Sequence, residues 1–225
     1  MAESTTRALI SAPPFIRVLA GLADADLGGS APVLSDRLGQ WIDWNRAVSL
    51  SRALDQPPPP APESPDVPAG EADCAQARAT LAQAIADEPL LAPVGTGTPA
   101  PVDFSPYRER CLGLQRAMNA ATGRLRGALR DRLAAGAAPL ARLAEVDALM
   151  EQVLAPREQR WLASVPALLG ERFESLRPAP VEPATSPLPG EWLDAFRQDM
   201  RQVLLAELDF RFQPLEALLA ALRAG

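Results

Sequence analysis

The segment PYRERCLGLQRAMNAATGRLRGALRDRLAA, Pro106 to Ala135, decides the fold class. Its apolar residues Tyr107, Cys111, Leu114, Met118, Ala121 and Leu125 recur at alternating steps of four and three. That spacing draws one stripe along an α-helix. Ser105 supplies an N-cap side chain, and Pro106 suits the first helical position, where a missing N–H costs nothing. The opposite face is rich in arginine, and Gly136 and Pro139 break the pattern.

Downstream, Leu140, Leu143, Val146, Met150 and Val153 mark another helix, with Pro139 at its start. Pro156 either opens a further helix or kinks a continuous one. Trp161, Val165, Leu168, Leu169, Phe173 and Leu176 give that piece its face, and Pro166 inside it predicts a bend. The last helix, over 190–223, carries Trp192, Phe196, Met200, Val203, Leu204, Leu208, Phe212, Leu215, Leu218 and Leu222, with a kink expected at Pro214. Short connections favour antiparallel neighbours, so 105–176 reads as a bundle of long helices with 190–223 packed on it. A coiled coil with another chain is the alternative use of such stripes.

Upstream, short helices are expected over 13–55: one from Pro13-Pro14 through Leu22, one from near Pro32 through Ile42, one through Val48 and Leu54. Residues 56–70, QPPPPAPESPDVPAG, hold seven prolines and read as a polyproline-type linker. The P-x-x-P-like spacing at Pro57, Pro60 and Pro62 is assigned to that linker rather than to a partner motif. A single helix is expected over 71–91, ended early by Pro89, then linkers over 92–104 and 177–189. The fold class is therefore all-α: short N-terminal helices and a bundle of long amphipathic helices joined by Pro-rich linkers.

Composition excludes much chemistry. The 225 residues include no histidine, and all 22 basic residues are arginine. Histidine-based acid–base catalysis, His-dependent triads, His-ligated zinc, Schiff-base lysines and phosphate-loop lysines are all ruled out. The two cysteines, Cys74 and Cys111, form no C-x-x-C and read as free thiols in a reducing cytoplasm. The N-terminus lacks the pattern of a signal peptide, and no run of about 18 apolar residues predicts a membrane span. Membrane insertion is not expected, and the expected location is the cytoplasm.

The remaining candidates are few. Between Pro106 and Arg142 stand eight arginines against Glu109 and Asp131, a balance of 8 − 2 = +6 in a chain of net charge −6. Arg108, Arg116, Arg126 and Arg130 share one side of the helix, suited either to phosphates or to pairing with acidic neighbouring helices. Trp41 and Trp44, three apart in QWIDWN, suit either core packing or an aromatic anchor for a partner. The pairs Asp24/Asp26, Glu145/Asp147 and Glu171/Glu174 read as solvated helix faces. Ser4, Ser49, Ser51 and Ser164 have no His or Lys base to activate them. No catalytic, cofactor or metal residues are assigned.

Three stretches carry a family resemblance: FIRVLAGLADADLGGSAPVLSDRLGQWIDWNRAVSLSRAL (Phe15–Leu54), FSPYRERCLGLQRAM (Phe104–Met118) with VPALLGERFESLR (Val165–Arg177), and AELDFRFQPLEALLAAL near the C-terminus. Together they resemble an uncharacterised proteobacterial family, domain of unknown function 3348. The resemblance implies no assigned activity and no functional residues. It implies an aromatic at the position of Cys111, which makes that thiol incidental. It also implies gene neighbours resembling membrane proton channels and outer-membrane protein A, and with them a soluble accessory role. The expected function is a non-enzymatic helical adaptor acting through a protein partner or self-association. Nucleic-acid binding through the arginine face of helix 106–135 is the disfavoured alternative.

Overall fold

Phe104 and Ser105 precede the step-four and step-three stripe that starts at Tyr107, and there the helix starts. Asp103 Oδ1 accepts from the Ser105 N–H at 3.0 Å, and the Phe104 carbonyl accepts from Arg108 N at 3.0 Å. The side chain that closes this end is therefore that of Asp103, just before the N-cap position Phe104, rather than that of Ser105, and its negative charge suits a helix N-terminus. The computed structural model describes residues 14–22, 44–55, 70–93, 103–178 and 190–224. Of these, 92% are helical and none is in a strand, so the protein is all-α as its periodicity predicts. The helices are α1 (Pro14–Leu22), α2 (Trp44–Asp55), α3 (Glu71–Ala86), α4 (Ser105–Ala134), α5 (Ala138–Leu176) and α6 (Glu191–Ala224), with a 3-10 turn at Pro89–Leu91. The helix expected from near Pro32 lies outside the described residues, as do linkers 56–69, 94–102 and 179–189.

Local chemistry explains the ends. Gly70 opens α3: its N–H donates to Asp73 Oδ2 at 2.7 Å and its carbonyl accepts from Cys74 N. The acidic third residue thus reaches back to the cap. Asp87 and Glu88 precede Pro89, and α3 stops at Ala86, short of the Leu91 first expected. Gly136 separates α4 from α5. A Cβ there would lie 3.0 Å from Leu140 Cδ1 and 3.2 Å from the Leu133 carbonyl oxygen, so a side chain at this turn would be tight and Leu140 would have to shift to admit it. Gly190, at φ 138°, takes a conformation that L side chains rarely adopt just before α6.

The α5 helix runs unbroken through Pro156 and Pro166, and α6 through Pro214. Each proline removes one N–H and orphans the carbonyl four residues earlier. At Pro156 that carbonyl belongs to the exposed Gln152, which water can reach. At Pro166 it belongs to the buried Leu162, and a side chain of α4 supplies the missing donor, as described below.

The chain divides into two helical units. The first holds described residues 14–22, 79–93, 103–118, 162–178 and 190–210. The second holds 44–55, 70–78, 119–161 and 211–224. Each long helix contributes one stretch to each unit, and residues of the 13–55 segment fall in both: α1 in the first, α2 in the second.

The first unit has a core of large side chains. Tyr107, Phe173, Phe196, Met200, Leu169 and Ile85 are fully buried. Five of the chain's eleven aromatics meet here: Phe104, Tyr107, Phe173, Trp192 and Phe196, with ring centroids 5.0–6.0 Å apart, several edge to face. Gly170 lies under the Phe104 ring; a Cβ would come within 3.1 Å of it. Phe15 of α1 is 2% exposed and stacks on Phe210 at 5.4 Å. Burial of this kind contributes about 2–3 kcal/mol per side chain. In this unit α4 and α6 run parallel, because Tyr107 meets Phe196 and Gln115 meets Glu207. The α5 stretch runs against α4, because Phe104 meets Phe173 and Gln115 meets Leu162.

The second unit buries smaller residues: Ala53 of α2, Cys74, Thr122, Ala141 and Ala144, with Leu129, Leu133, Phe212 and Leu215 among the larger ones. Here α3 and α6 run antiparallel, because Glu71 faces Arg223 at 3.9 Å and Arg78 bonds Glu216 at 2.6 Å. The buried line of α4 follows Tyr107, Cys111, Leu114 and Met118 as expected. Beyond Met118 it passes to Thr122, Leu129 and Leu133, leaving Ala121 and Leu125 half-buried. A line through every eleventh residue turns slowly about a 3.6-residue helix. That turn carries the buried side toward Arg126 and Arg130.

Candidate functional site

The first unit contains a polar clamp that begins with Pro166. Lacking its N–H, Pro166 leaves the Leu162 carbonyl without an intrahelical donor. Gln115 Nε2 donates to that oxygen at 2.9 Å and to Glu207 Oε2 at 2.9 Å. Gln115 is 8% exposed and Glu207 is fully buried. One amide of α4 thereby ties α5 to α6. Cys111 lies on the same face of α4, one turn earlier. Burial pushes its thiol up to about 12, and the Glu207 charge adds to the effect. Cys74, in the second unit, is also raised, by burial and then by Asp73. Both thiols are free and buried. Neither carries thiolate character near neutral pH.

Along α6 in the same unit lies an open groove of about 400 Å³. Asp194, Arg197, Gln198, Arg201 and Gln202 line it together with Leu91, Pro93 and Leu205. Arg197 is 4% exposed. Its Nε donates to Tyr107 Oη at 3.3 Å, and its Nη1 lies 3.4 Å from Asp194 Oδ1. Arg201 Nη2 donates to the Leu91 carbonyl at 2.6 Å. Nearby, Arg172 Nε donates to Asp199 Oδ2 at 2.8 Å, and Arg110 Nε donates to Glu88, whose other oxygen accepts from Leu90 N.

The second unit contains the densest ion network among the described residues. Arg126 grips Asp147 with two parallel bonds, Nε to Oδ2 at 2.9 Å and Nη2 to Oδ1 at 2.7 Å. Arg130 Nε donates to Asp147 Oδ2 at 2.7 Å, and Arg130 Nη2 to Glu151. Such forked pairs fix geometry as well as charge. Burial works against the Asp147 carboxylate, but hydrogen bonds from Arg126 and Arg130 and their charges hold it below the usual range. Burial likewise opposes the Arg126 charge, and the bond to Asp147 with the charges of Asp147, Glu151 and Glu158 outweighs it, so its pKa lies above the ordinary value. Glu158 is raised: its burial and the neighbouring Glu151 outweigh Arg126 and Arg211.

The four arginines singled out in the sequence are therefore divided. Arg126 and Arg130 pair within the fold, at 12% and 20% side-chain exposure, on Asp147 and Glu151. They are not part of an open phosphate-binding face, because the drift of the buried line brings them against α5. Arg108 and Arg116 are exposed, and both lie in the first unit. Trp41 lies outside the described residues, and Trp44 is the first residue of α2. Among the described carboxylate candidates, Asp147 is drawn into a network and Glu171 and Glu174 are exposed, while Asp24 and Asp26 lie outside the described residues. Among the described residues no three His, Cys, Asp or Glu side chains gather in a way that could hold a metal ion. No helix is long and apolar enough there to cross a membrane.

Sequence reasoning passed over Gln115, Glu207, Arg197 and Arg201. Pro166 is the signal that could have found the first: a mid-helix proline calls for a donor near residue 162. The others needed the tertiary neighbours.

These features define an all-α protein whose long helices are joined by buried polar contacts as well as by apolar ones. The chain belongs to the family described as a protein of unknown function, DUF3348, whose model matches residues 1–224. The resemblance read in the sequence is thus confirmed over the whole helical body. No curated protein and no solved structure matches the chain.

Proposed function

We propose that this protein is a non-enzymatic helical adaptor of the cytoplasm, acting through contacts with another protein or with a second copy of itself. The observation that carries this is an apolar line on α5 in the second unit. Leu143, Met150, Leu154 and Trp161 follow at steps of seven, four and seven, which places them on one helix face. Leu143 is 36% exposed, and Trp161, although engaged by an interaction within the chain, is 47% exposed. Met150 and Leu154 between them are half-buried. A large exposed aromatic at the end of a partly exposed apolar line is suited to anchor an interface. Spacing of this kind also suits a coiled coil with a partner helix.

The test is light scattering of the purified protein together with capture of partners from its native cell extract, each repeated with Leu143→Glu plus Trp161→Glu. The wild type is expected to self-associate or to retain a partner, and the double variant to lose that association while keeping its helical circular dichroism. If the double variant associates as the wild type does, the α5 face has no such role. Of the four arginines proposed for nucleic-acid binding, Arg108 and Arg116 are exposed, while Arg126 and Arg130 are engaged by carboxylates. Binding to generic DNA that falls steeply with salt and is abolished by Arg108→Glu plus Arg116→Glu would favour it.

A further inference from the structure

We propose that the groove beside Arg197 and Arg201 binds an acidic segment of a protein partner, with two carboxylate side chains two residues apart on an extended chain. This deepens the adaptor proposal, on which it rests for the nature of the occupant. The starting point is the charge of Arg197. A guanidinium removed from water requires a paired anion to offset the loss of hydration. At 4% exposure Arg197 has lost nearly all of its hydration. The fold returns little: a neutral phenol at 3.3 Å and a carboxylate oxygen at 3.4 Å, both longer than the roughly 2.7–2.9 Å of a charge-assisted bond. The Asp194 side chain is itself 42% exposed, so its field is screened by solvent. Arg197 Nη2 has no hydrogen-bond partner among the described residues, and Arg197 lines the groove.

Arg201, one turn further on the same face, is anchored differently from Arg110 and Arg172 of the same unit. Arg110 and Arg172 are held by carboxylates. Arg201 is held by the Leu91 backbone carbonyl, which fixes its position without neutralising its charge. Facing the groove are thus two positive charges against the single Asp194. The pair is pre-placed, which lowers the ordering cost of binding.

Geometry selects the occupant. Residues four apart on a helix are separated by about 6 Å. Alternate side chains of an extended chain repeat at roughly 6.5–7 Å and point the same way. Two acidic residues separated by one other therefore match Arg197 and Arg201 in register. Gln198 and Gln202 are exposed at the same spacing and offer amide donors and acceptors to a peptide backbone. Leu205, half-buried on the lining, provides apolar surface for the intervening residue. The groove is open along α6, whereas a small-molecule pocket typically encloses most of its ligand.

The test is a titration of the ¹⁵N-labelled full-length protein with the peptide acetyl-Gly-Glu-Gly-Glu-Gly-amide, followed on the arginine Nε–Hε resonances. Parallel titrations use the same peptide with glutamine for glutamate, sodium succinate, and inorganic phosphate. The expected result is that the glutamate peptide shifts the Arg197 and Arg201 resonances and the glutamine peptide does not. Arg201→Gln should weaken binding about tenfold or more, while Arg116→Gln leaves it unchanged. If Arg201→Gln fails to fold, the wild-type resonances decide alone. Equal binding of both peptides, unmoved Arg197 and Arg201 resonances, or phosphate or succinate binding as tightly as the glutamate peptide would each overturn the proposal. The last outcome would make this a small-anion site. The titration involves neither the α5 face nor a native partner, so its failure and that of the adaptor proposal are separable.

Discussion

Asp147 and Glu158 are carboxylates in the second unit with opposite linkage to pH. Asp147 is held below its ordinary value by Arg126 and Arg130. Its contribution to stability is fully present above that ordinary value and is lost as pH falls through the depressed one. Glu158 is raised, chiefly by burial. The folded state favours its protonated form, so its contribution is fully present below the ordinary glutamate range and is lost as pH rises through the raised value. At neutral pH an ionised Glu158 therefore works against folding. Glu158→Gln is expected to raise the urea midpoint at pH 7.5, with the gain vanishing near pH 4. Unchanged midpoints at both pH values would show that Glu158 is as well solvated folded as unfolded.

At the scale of the element, the continuity of α5 is the informative feature. A proline inside a helix ordinarily costs about 3 kcal/mol, through the lost bond and the clash of its ring. The helix passes through Pro166 with the orphaned Leu162 carbonyl satisfied by Gln115. Gln115→Leu removes that donor and also strips a partner from the buried Glu207, so it should cost about 2–4 kcal/mol. Pro166→Ala restores a backbone N–H to the Leu162 carbonyl. In that background Gln115→Leu should cost about 1 kcal/mol less, read from chemical denaturation of the four proteins of the cycle. An identical cost in both backgrounds would mean that Gln115 serves Glu207 alone.

At the scale of the whole molecule, the two N-terminal helices serve different units. Phe15 of α1 stacks on Phe210 in the first, and Ala53 of α2 is buried in the second. A Phe→Ala change at a buried site costs about 3–5 kcal/mol. Removing residues 1–70 should therefore lower the melting temperature by roughly 5–10 °C or more. A fragment 71–225 that melts with the full chain would show that neither helix contributes to stability.

Several features of this protein were legible without coordinates. The step-four and step-three stripes of α4, α5 and α6 determine helices because 3.6 residues complete a turn, and a scarcity of β-branched and aromatic residues leaves no competing strand pattern. The burial of Tyr107, Cys111, Leu114 and Met118 followed directly. The alternatives open to the arginine face were legible too, but not the choice between them. Whether Arg126 meets a phosphate or Asp147 depends on how far the buried line turns along α4, which the neighbouring helices select. Likewise Pro156 and Pro166 look alike as sequence, yet one orphaned carbonyl lies on an exposed residue and the other beneath Gln115. Local propensity determined where helices form. Which polar groups lose their water, and which partner each then requires, was decided by tertiary packing, because desolvation is a property of the assembled neighbours and not of the residue itself.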